Sequence, residues 1–413
     1  METILHIYHP KRHLLLLEYA IKSPSSSPSP SSGVALSQTH SNPPNVLLFV
    51  GGLYDNFRSP SYVDDLAALF LRDTPNQKWR VMHVQLSSAG KSFGLYDLDR
   101  DVEEIGTAIN YIRASVTQSP TSPVVLMGHS TGCQDLIHYL VSPLKNSKNS
   151  SNSRPVVSGA IFQAPVSDRE AIMRDVNDDQ ATRQAYESCL SIAESTPKDK
   201  HAMTILPLHI SKQCLGPAPL NITRFLSLAS PGSPDNPAMD DYFSSDLSDR
   251  RLLDTFGRIG GVAHLQASKH TGEISSDLGH SSEVTGRSVL FLPSGDDEHV
   301  PTSIDKALLL SRWTRAVESG GAASVSPYSQ IVRHALHDIS GSSIEARTAR
   351  LVEMRGSVLR YLDHVVGDIF EEGSGVSTEK GDASEHSGQG PWAIYESDRH
   401  AIEMERGVSG VRL

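Results

Sequence analysis

A chain of 413 residues, 38% of them apolar, can build a large core, and one α/β domain carrying an insertion and tails reaches this length. Its formal charge of −11 excludes nucleic acid and anionic membrane surfaces as natural partners. Three widely spaced cysteines, Cys133, Cys189 and Cys214, exclude a disulfide scaffold and offer no zinc-binding spacing.

In chain order, the first residues carry no basic region, and the apolar run at 14–17 is too short for a signal core or a membrane span. A cytoplasmic location is therefore expected. Residues 4–9 and 13–21 read as two strands joined at Pro10-Lys11-Arg12. The Ser-, Pro- and Asn-rich stretch 23–44 cannot bury a core and reads as a disordered insertion. An apolar strand at 45–50 runs into Gly51-Gly52-Leu53-Tyr54-Asp55. Val63, Leu66, Ala67, Phe70 and Leu71 share one face of a helix over 61–72. A strand at 79–86, a helix at 98–116, a strand from Val124, a helix at 131–141 and a strand at 156–162 come next. Such alternation implies a parallel sheet with helices on both faces.

From 167 to 286 the alternation breaks. Residues 169–194 look helical, but six prolines between 207 and 237 fragment the chain beyond them, and the stretch reads as an inserted lid or cap. A strand at 288–293, a helix at 302–318, a last strand at 328–332 and a closing helix at 343–366 resume the pattern. The expected domain thus spans 1–370, and 371–413 is a low-complexity tail.

The chemistry centres on Gly128-His129-Ser130-Thr131-Gly132, a G-x-S-x-G between an apolar strand and a helical segment. In the nucleophile elbow a serine occupies a strained strand-to-helix turn, and glycines are needed where backbones approach closely. The α/β-hydrolase order then requires an acid and a histidine after later strands. Asp297 comes after the 288–293 strand in a Gly-x-Asp-x-x-Val-Pro setting, with Asp296 as its competitor. His337 lies five residues past the expected last strand, with His334 as its competitor; Asp297 and His337 are favoured. Ser130, Asp297 and His337 would form the triad, and the backbone N–H groups of Leu53 and Thr131 the oxyanion hole. His129 and Cys133 read as packing residues. Gly52 and Tyr54, on the donor loop, are candidates for touching substrate. The reaction this supports is ester hydrolysis through an acyl-enzyme, with a small-molecule ester as partner and no metal or organic cofactor.

Several longer stretches carry a closer resemblance: Phe49-Val50-Gly51-Gly52-Leu53, Val84-Gln85-Leu86-Ser87-Ser88, the elbow continued as Cys133-Gln134-Asp135, Asp240-Asp241-Tyr242-Phe243-Ser244-Ser245-Asp246-Leu247, and Asp297-Glu298-His299-Val300-Pro301. Over roughly 4–363 the chain resembles a fungal and plant family of α/β-hydrolases, long uncharacterised, that includes fungal esterases of the siderophore fusarinine C. The resemblance implies hydrolysis of hydroxamate siderophore esters inside the cell, with release of their iron. It also gives Asp240, Asp241 and Tyr242 a role lining the substrate site from the lid, against a plainer role in packing and capping. Two other readings compete: a carboxylesterase, thioesterase or lipase with another substrate, and a non-catalytic α/β-hydrolase scaffold that binds a ligand.

Overall fold

The computed structural model describes residues 2–20, 45–73, 79–143, 154–261, 264–266, 287–340 and 343–366. The insertion at 23–44, residues 267–286 of the expected lid and the tail at 371–413 lie outside the described residues.

One sheet runs β1 (Glu2–His9), β2 (Leu14–Ala20), β3 (Asn45–Val50), β4 (Trp79–Val84), β5 (Val124–His129), β6 (Gly159–Gln163), β7 (Ser288–Leu292) and β8 (Ser324–Val325) along the chain. Their spatial order is β1-β2-β4-β3-β5-β6-β7-β8. β2 pairs antiparallel with β1 and β4, and every other pairing is parallel. Strands β3, β5, β6 and β7 are buried at every residue. Their nearly uninterrupted apolar sequences reflect this, since a parallel strand has a helix over each face.

Helices α1 (Tyr62–Asp73), α2 (Leu98–Tyr111) and α3 (Gly132–Val141) come after β3, β4 and β5. Between β6 and β7 stand α4 (Asp168–Asp178), α5 (Gln180–Ser195), α6 (Leu208–Leu215), α7 (Ile222–Ala229) and α8 (Asp249–Thr255), and α9 (Lys306–Ser319) and α10 (Ile344–Val366) close the chain. Strand side chains alternate between faces. Val46, Leu48 and Val50 of β3, with Val124 and Leu126 of β5, join one apolar cluster with α2, α3 and α9. The helix α10 lies against β6 and β7, where the Tyr361 hydroxyl donates to Ser288 O (2.7 Å) and accepts from Ala160 N–H (3.0 Å).

Helices α4 to α7 share a second apolar cluster that includes Ile172, Tyr186, Phe225 and Phe93. Phe93 belongs to a 3₁₀ turn at Gly90–Leu95, which ties these helices to the domain. There Asn221 N–H donates to Gly94 O (2.8 Å) and Arg224 Nε to Phe93 O (3.2 Å).

Four of the expected boundaries that move do so for a clear local reason. The helix expected at 169–194 is two, because Asp179 leaves helical geometry and its carboxylate caps Thr182 N–H (2.7 Å). The strand expected at 156–162 begins at Gly159, with Val157 making only a bridge to Leu265. The helix expected at 302–318 starts at Lys306, capped by Asp305. The last strand is Ser324–Val325, not 328–332. Pro327 has no N–H to offer the ladder, so the chain turns there, and Ser329 N–H closes on Ser326 O (2.9 Å). Pairing resumes with Gln330 N–H to Phe291 O (3.1 Å) and Val332 N–H to Pro293 O (2.8 Å).

Candidate active site

Ser130 stands between β5 and α3 with φ +55°, in the left-handed region that residues with a β-carbon rarely adopt. The turn is fixed from both sides. Ser130 N–H donates to Gln163 O (3.2 Å) at the end of β6, and Cys133 N–H donates to Ser130 O (2.9 Å). A β-carbon on Gly132 would lie 2.4 Å from Val50 O, so α3 can start this close to β3 only with glycine there. Ser130 is partly exposed, whereas His129 and Thr131 on either side are buried.

Both competing acid–histidine pairs form, in different surroundings. Asp296 Oδ2 meets His334 Nδ1 at 3.1 Å with side chains 58% and 83% exposed. Asp297 Oδ2 meets His337 Nδ1 at 2.8 Å with side chains 1% and 10% exposed. Only the second pair is shielded from water, where an orienting carboxylate acts most strongly. Burial by itself would lower the His337 pKa. The hydrogen bond and charge of Asp297, then the charges of Glu298 and Asp55, outweigh it and hold the imidazole above its ordinary 6.5.

Two further imidazoles flank His337, with ring centroids 4.8 Å away for His129 and 4.6 Å for His299. His129 is buried, as expected, but its ring lies against that of His337. Its Nδ1 is 2.5 Å from Gln163 Oε1, and burial, reinforced by the neighbouring His337, lowers its pKa to about 4. Among the described residues, no hydrogen bond joins the Ser130 hydroxyl to an imidazole. Such bonds are often long in unliganded enzymes and tighten around substrate.

The loop after β3 lies directly on Ser130. A β-carbon on Gly52 would be 2.6 Å from Ser130 Cβ and 3.1 Å from its Oγ. Asp55 holds this loop, accepting Gly52 N–H at Oδ2 (2.8 Å) and the Ser59 hydroxyl at Oδ1 (2.6 Å). That spends the Gly52 donor. Among the described residues, the N–H groups of Leu53 and Thr131 have no hydrogen-bond partner. Behind the loop is a cavity of about 30 Å³ whose walls include Leu53, Thr131, Asp101, Asp135 and Arg224.

The remaining candidates have hydrogen-bond partners within the protein. The Tyr54 hydroxyl donates to Leu215 O (2.7 Å), tying the donor loop to α6. Asp241 is buried and accepts from the hydroxyls of Ser233 and Ser244. The Tyr242 hydroxyl lies 2.8 Å from His138 Nδ1, whose other nitrogen is 3.0 Å from Asp99. Asp240 pairs with the buried Arg224 at 2.5 Å. Asp240, Asp241 and Tyr242 are thus each paired with a side chain of the protein itself. Cys133 is fully buried, and desolvation drives its thiol pKa well up. Two residues that sequence reasoning passed over matter here: Asp55, whose spacing of three from Gly52 is a turn signal, and Glu298, which had no local signal.

A mostly parallel eight-stranded sheet, with a serine on a strained strand-to-helix turn and a buried carboxylate–imidazole pair on later loops, defines an α/β-hydrolase. The chain belongs to the family described as protein of unknown function DUF1749, whose model matches residues 6–361. It is 37% identical to the fusarinine C esterase sidJ of Aspergillus fumigatus over 351 residues, 79% of this chain and 91% of that protein. It is 33% identical to esterase AN6793 of Emericella nidulans over 353 residues, 79% of this chain and 88% of that protein. Among solved structures, the siderophore hydrolase EstB of A. fumigatus superposes with a TM-score of 0.68 at 34% identity, covering 89% of this chain and 98% of that one. With relatives of this kind the protein is a carboxylic ester hydrolase. Among the described residues, no helix is long and apolar enough to cross a membrane.

Proposed function

We propose that the protein is a serine esterase that hydrolyses ester bonds of hydroxamate siderophores such as fusarinine C and so releases their iron inside the cell. In this reading Ser130 Oγ attacks the ester carbonyl while His337 Nε2 takes its proton. The carbonyl oxygen becomes an oxyanion facing the Leu53 and Thr131 N–H groups, which have no partner of their own among the described residues. His337 then gives the proton to the departing alkoxide, leaving an acyl group on Ser130. Water, deprotonated by His337, attacks the acyl carbon; the ester bond to Ser130 breaks, the acid leaves, and the proton returns to Ser130. Asp297 keeps the Nδ1 proton in place throughout.

The observation that carries the chemistry is the buried Asp297–His337 pair beside the strained Ser130 turn. The choice of substrate rests on the activities for which the relatives are named. The helices α4 to α8 serve as the substrate-facing lid, and Gly52 as part of the site floor.

The test is incubation of the purified protein with ferric fusarinine C, its acetylated relative and a short p-nitrophenyl ester. Cleavage of a siderophore, lost in Ser130→Ala, is expected. Turnover of the p-nitrophenyl ester with both siderophores left intact would refute the substrate assignment and leave a serine esterase of another kind.

A further inference from the structure

The histidine of an Asp–His pair must be held by more than its acid, because an imidazole rotates and its loop shifts. Here the segment 295–298 and the loop 332–337 are laced together. Gly295 N–H donates to Val332 O (2.9 Å) and Asp296 N–H to Ala335 O (2.9 Å). Asp297 takes the His337 ring at Nδ1. The lacing ends at Glu298, whose Oε2 accepts the backbone N–H of His337 (2.8 Å).

Three features set this contact apart from ordinary surface hydrogen bonding. Glu298 is exposed, so its carboxylate has water available and instead folds back on the backbone of the proposed base. That hydrogen bond is the carboxylate's single partner among the described residues. The Glu298 main chain is itself held from the inserted helices, since Arg174 Nη1 of α4 donates to Glu298 O (2.6 Å). Its neighbours complete a clamp: His299 N–H donates to Asp297 Oδ1 (3.0 Å), and the His299 ring stands edge-on to His337.

We infer that Glu298 is a positioning residue for the hydrolysis, fixing the backbone of His337 from the inserted-helix side while Asp297 fixes its ring. The inference rests on His337 being the base. A charged acceptor beside the loop has two separable effects. As an acceptor it sets where the ring stands. As a negative charge it adds to the field that holds the imidazole pKa above its ordinary value. Glutamine keeps the first effect and loses the second, whereas alanine loses both.

The experiment compares wild type, Glu298→Gln, Glu298→Ala and Ser130→Ala on a p-nitrophenyl ester across pH, with circular dichroism reporting the fold. The Ala variant is expected to lose roughly tenfold or more in kcat at every pH with KM little changed, the loss typical of a displaced catalytic group. The Gln variant is expected to recover most of that loss while the acid limb of its kcat/KM profile moves to lower pH. Folded Glu298→Ala with wild-type kcat and an unmoved limb would overturn the inference, as would a Gln variant no better than Ala. Wild-type turnover by Ser130→Ala would instead overturn the esterase mechanism itself, and the positioning role with it.

Discussion

Replacing Asp297 with asparagine keeps the shape of the side chain facing His337 Nδ1 at 2.8 Å and removes its charge. The turn should survive, since the amide oxygen can still accept His299 N–H, as Asp297 Oδ1 does now at 3.0 Å. What changes is the imidazole. An amide N–H facing Nδ1 favours the tautomer with its proton on Nε2, which cannot act as base toward Ser130. Losses from this substitution in serine triads are about 10⁴-fold in kcat, or about 5–6 kcal/mol of transition-state stabilisation. The pH profile carries a second signature. In the wild type the hydrogen bond and charge of Asp297, with the charges of Glu298 and Asp55, outweigh burial and raise the His337 pKa, so the acid limb of kcat/KM is expected above the ordinary imidazole range. Without that carboxylate burial prevails, and the residual activity should keep its neutral base to lower pH. The assay is p-nitrophenyl ester hydrolysis across the acid and neutral range, with Asp296→Asn as the comparison. Asp296 and His334 are mostly exposed, so that variant should stay within about threefold of wild type, as solvent-screened pairs contribute little. An Asp296→Asn loss as large as that of Asp297→Asn, or retention of most activity by Asp297→Asn, would refute the assignment of the acid.

The same geometry gives three further expected outcomes. Gly52→Ala puts a β-carbon 2.6 Å from Ser130 Cβ; kcat should fall by about 10² or more, the scale of losing one oxyanion donor, with an unchanged circular dichroism spectrum. Asp240→Ala strands the buried Arg224 guanidinium without its 2.5 Å partner. Urea unfolding should report a loss of about 3–5 kcal/mol. His83 is buried and desolvation lowers its pKa to about 4, so below 6.5 the unfolded chain takes a proton that the native state refuses. Its contribution therefore erodes stability as pH falls from 6.5 toward 4, at up to about 1.4 kcal/mol per pH unit. His83→Phe, packed against Phe49 and Phe57, should flatten that part of the wild-type slope; identical slopes in urea titrations between neutral pH and the native pKa would contradict this.

The central sheet is legible in the sequence because parallel strands are buried on both faces, and so appear as short apolar runs such as Val124-Val125-Leu126-Met127. The elbow is legible for a related reason: Gly132 is demanded by contact with the backbone of β3, a constraint that leaves a glycine in the sequence. The region after β7 is less legible. A strand expected at 328–332 favours His337 over His334 by its distance from the strand end, yet β8 stops at Val325 and a turn at Pro327 intervenes. What separates the two acid–histidine pairs is burial, which depends on how residues 326–337 lie back over β7, and no periodicity records that path. For Asp240, Asp241 and Tyr242 the family resemblance, not any local pattern, is what implies a place in the substrate site. Ser244 lies only three residues from Asp241, but Arg224 is 16 residues from Asp240 and His138 is 104 from Tyr242, and pairings of that range have no local signature. Asp179 is the opposite case, a helix break readable from an aspartate three residues before Thr182, the cap geometry the structure contains.

Labelling with a fluorophosphonate and then mapping the peptides by mass tests the central claim most directly, since it traps the attack by serine itself. One phosphonyl adduct on the peptide carrying Ser130 is expected, with loss of ester turnover in proportion to labelling and no adduct in Ser130→Ala. An active protein that leaves Ser130 unmodified, or a Ser130→Ala variant that still hydrolyses the ester, would contradict the mechanism.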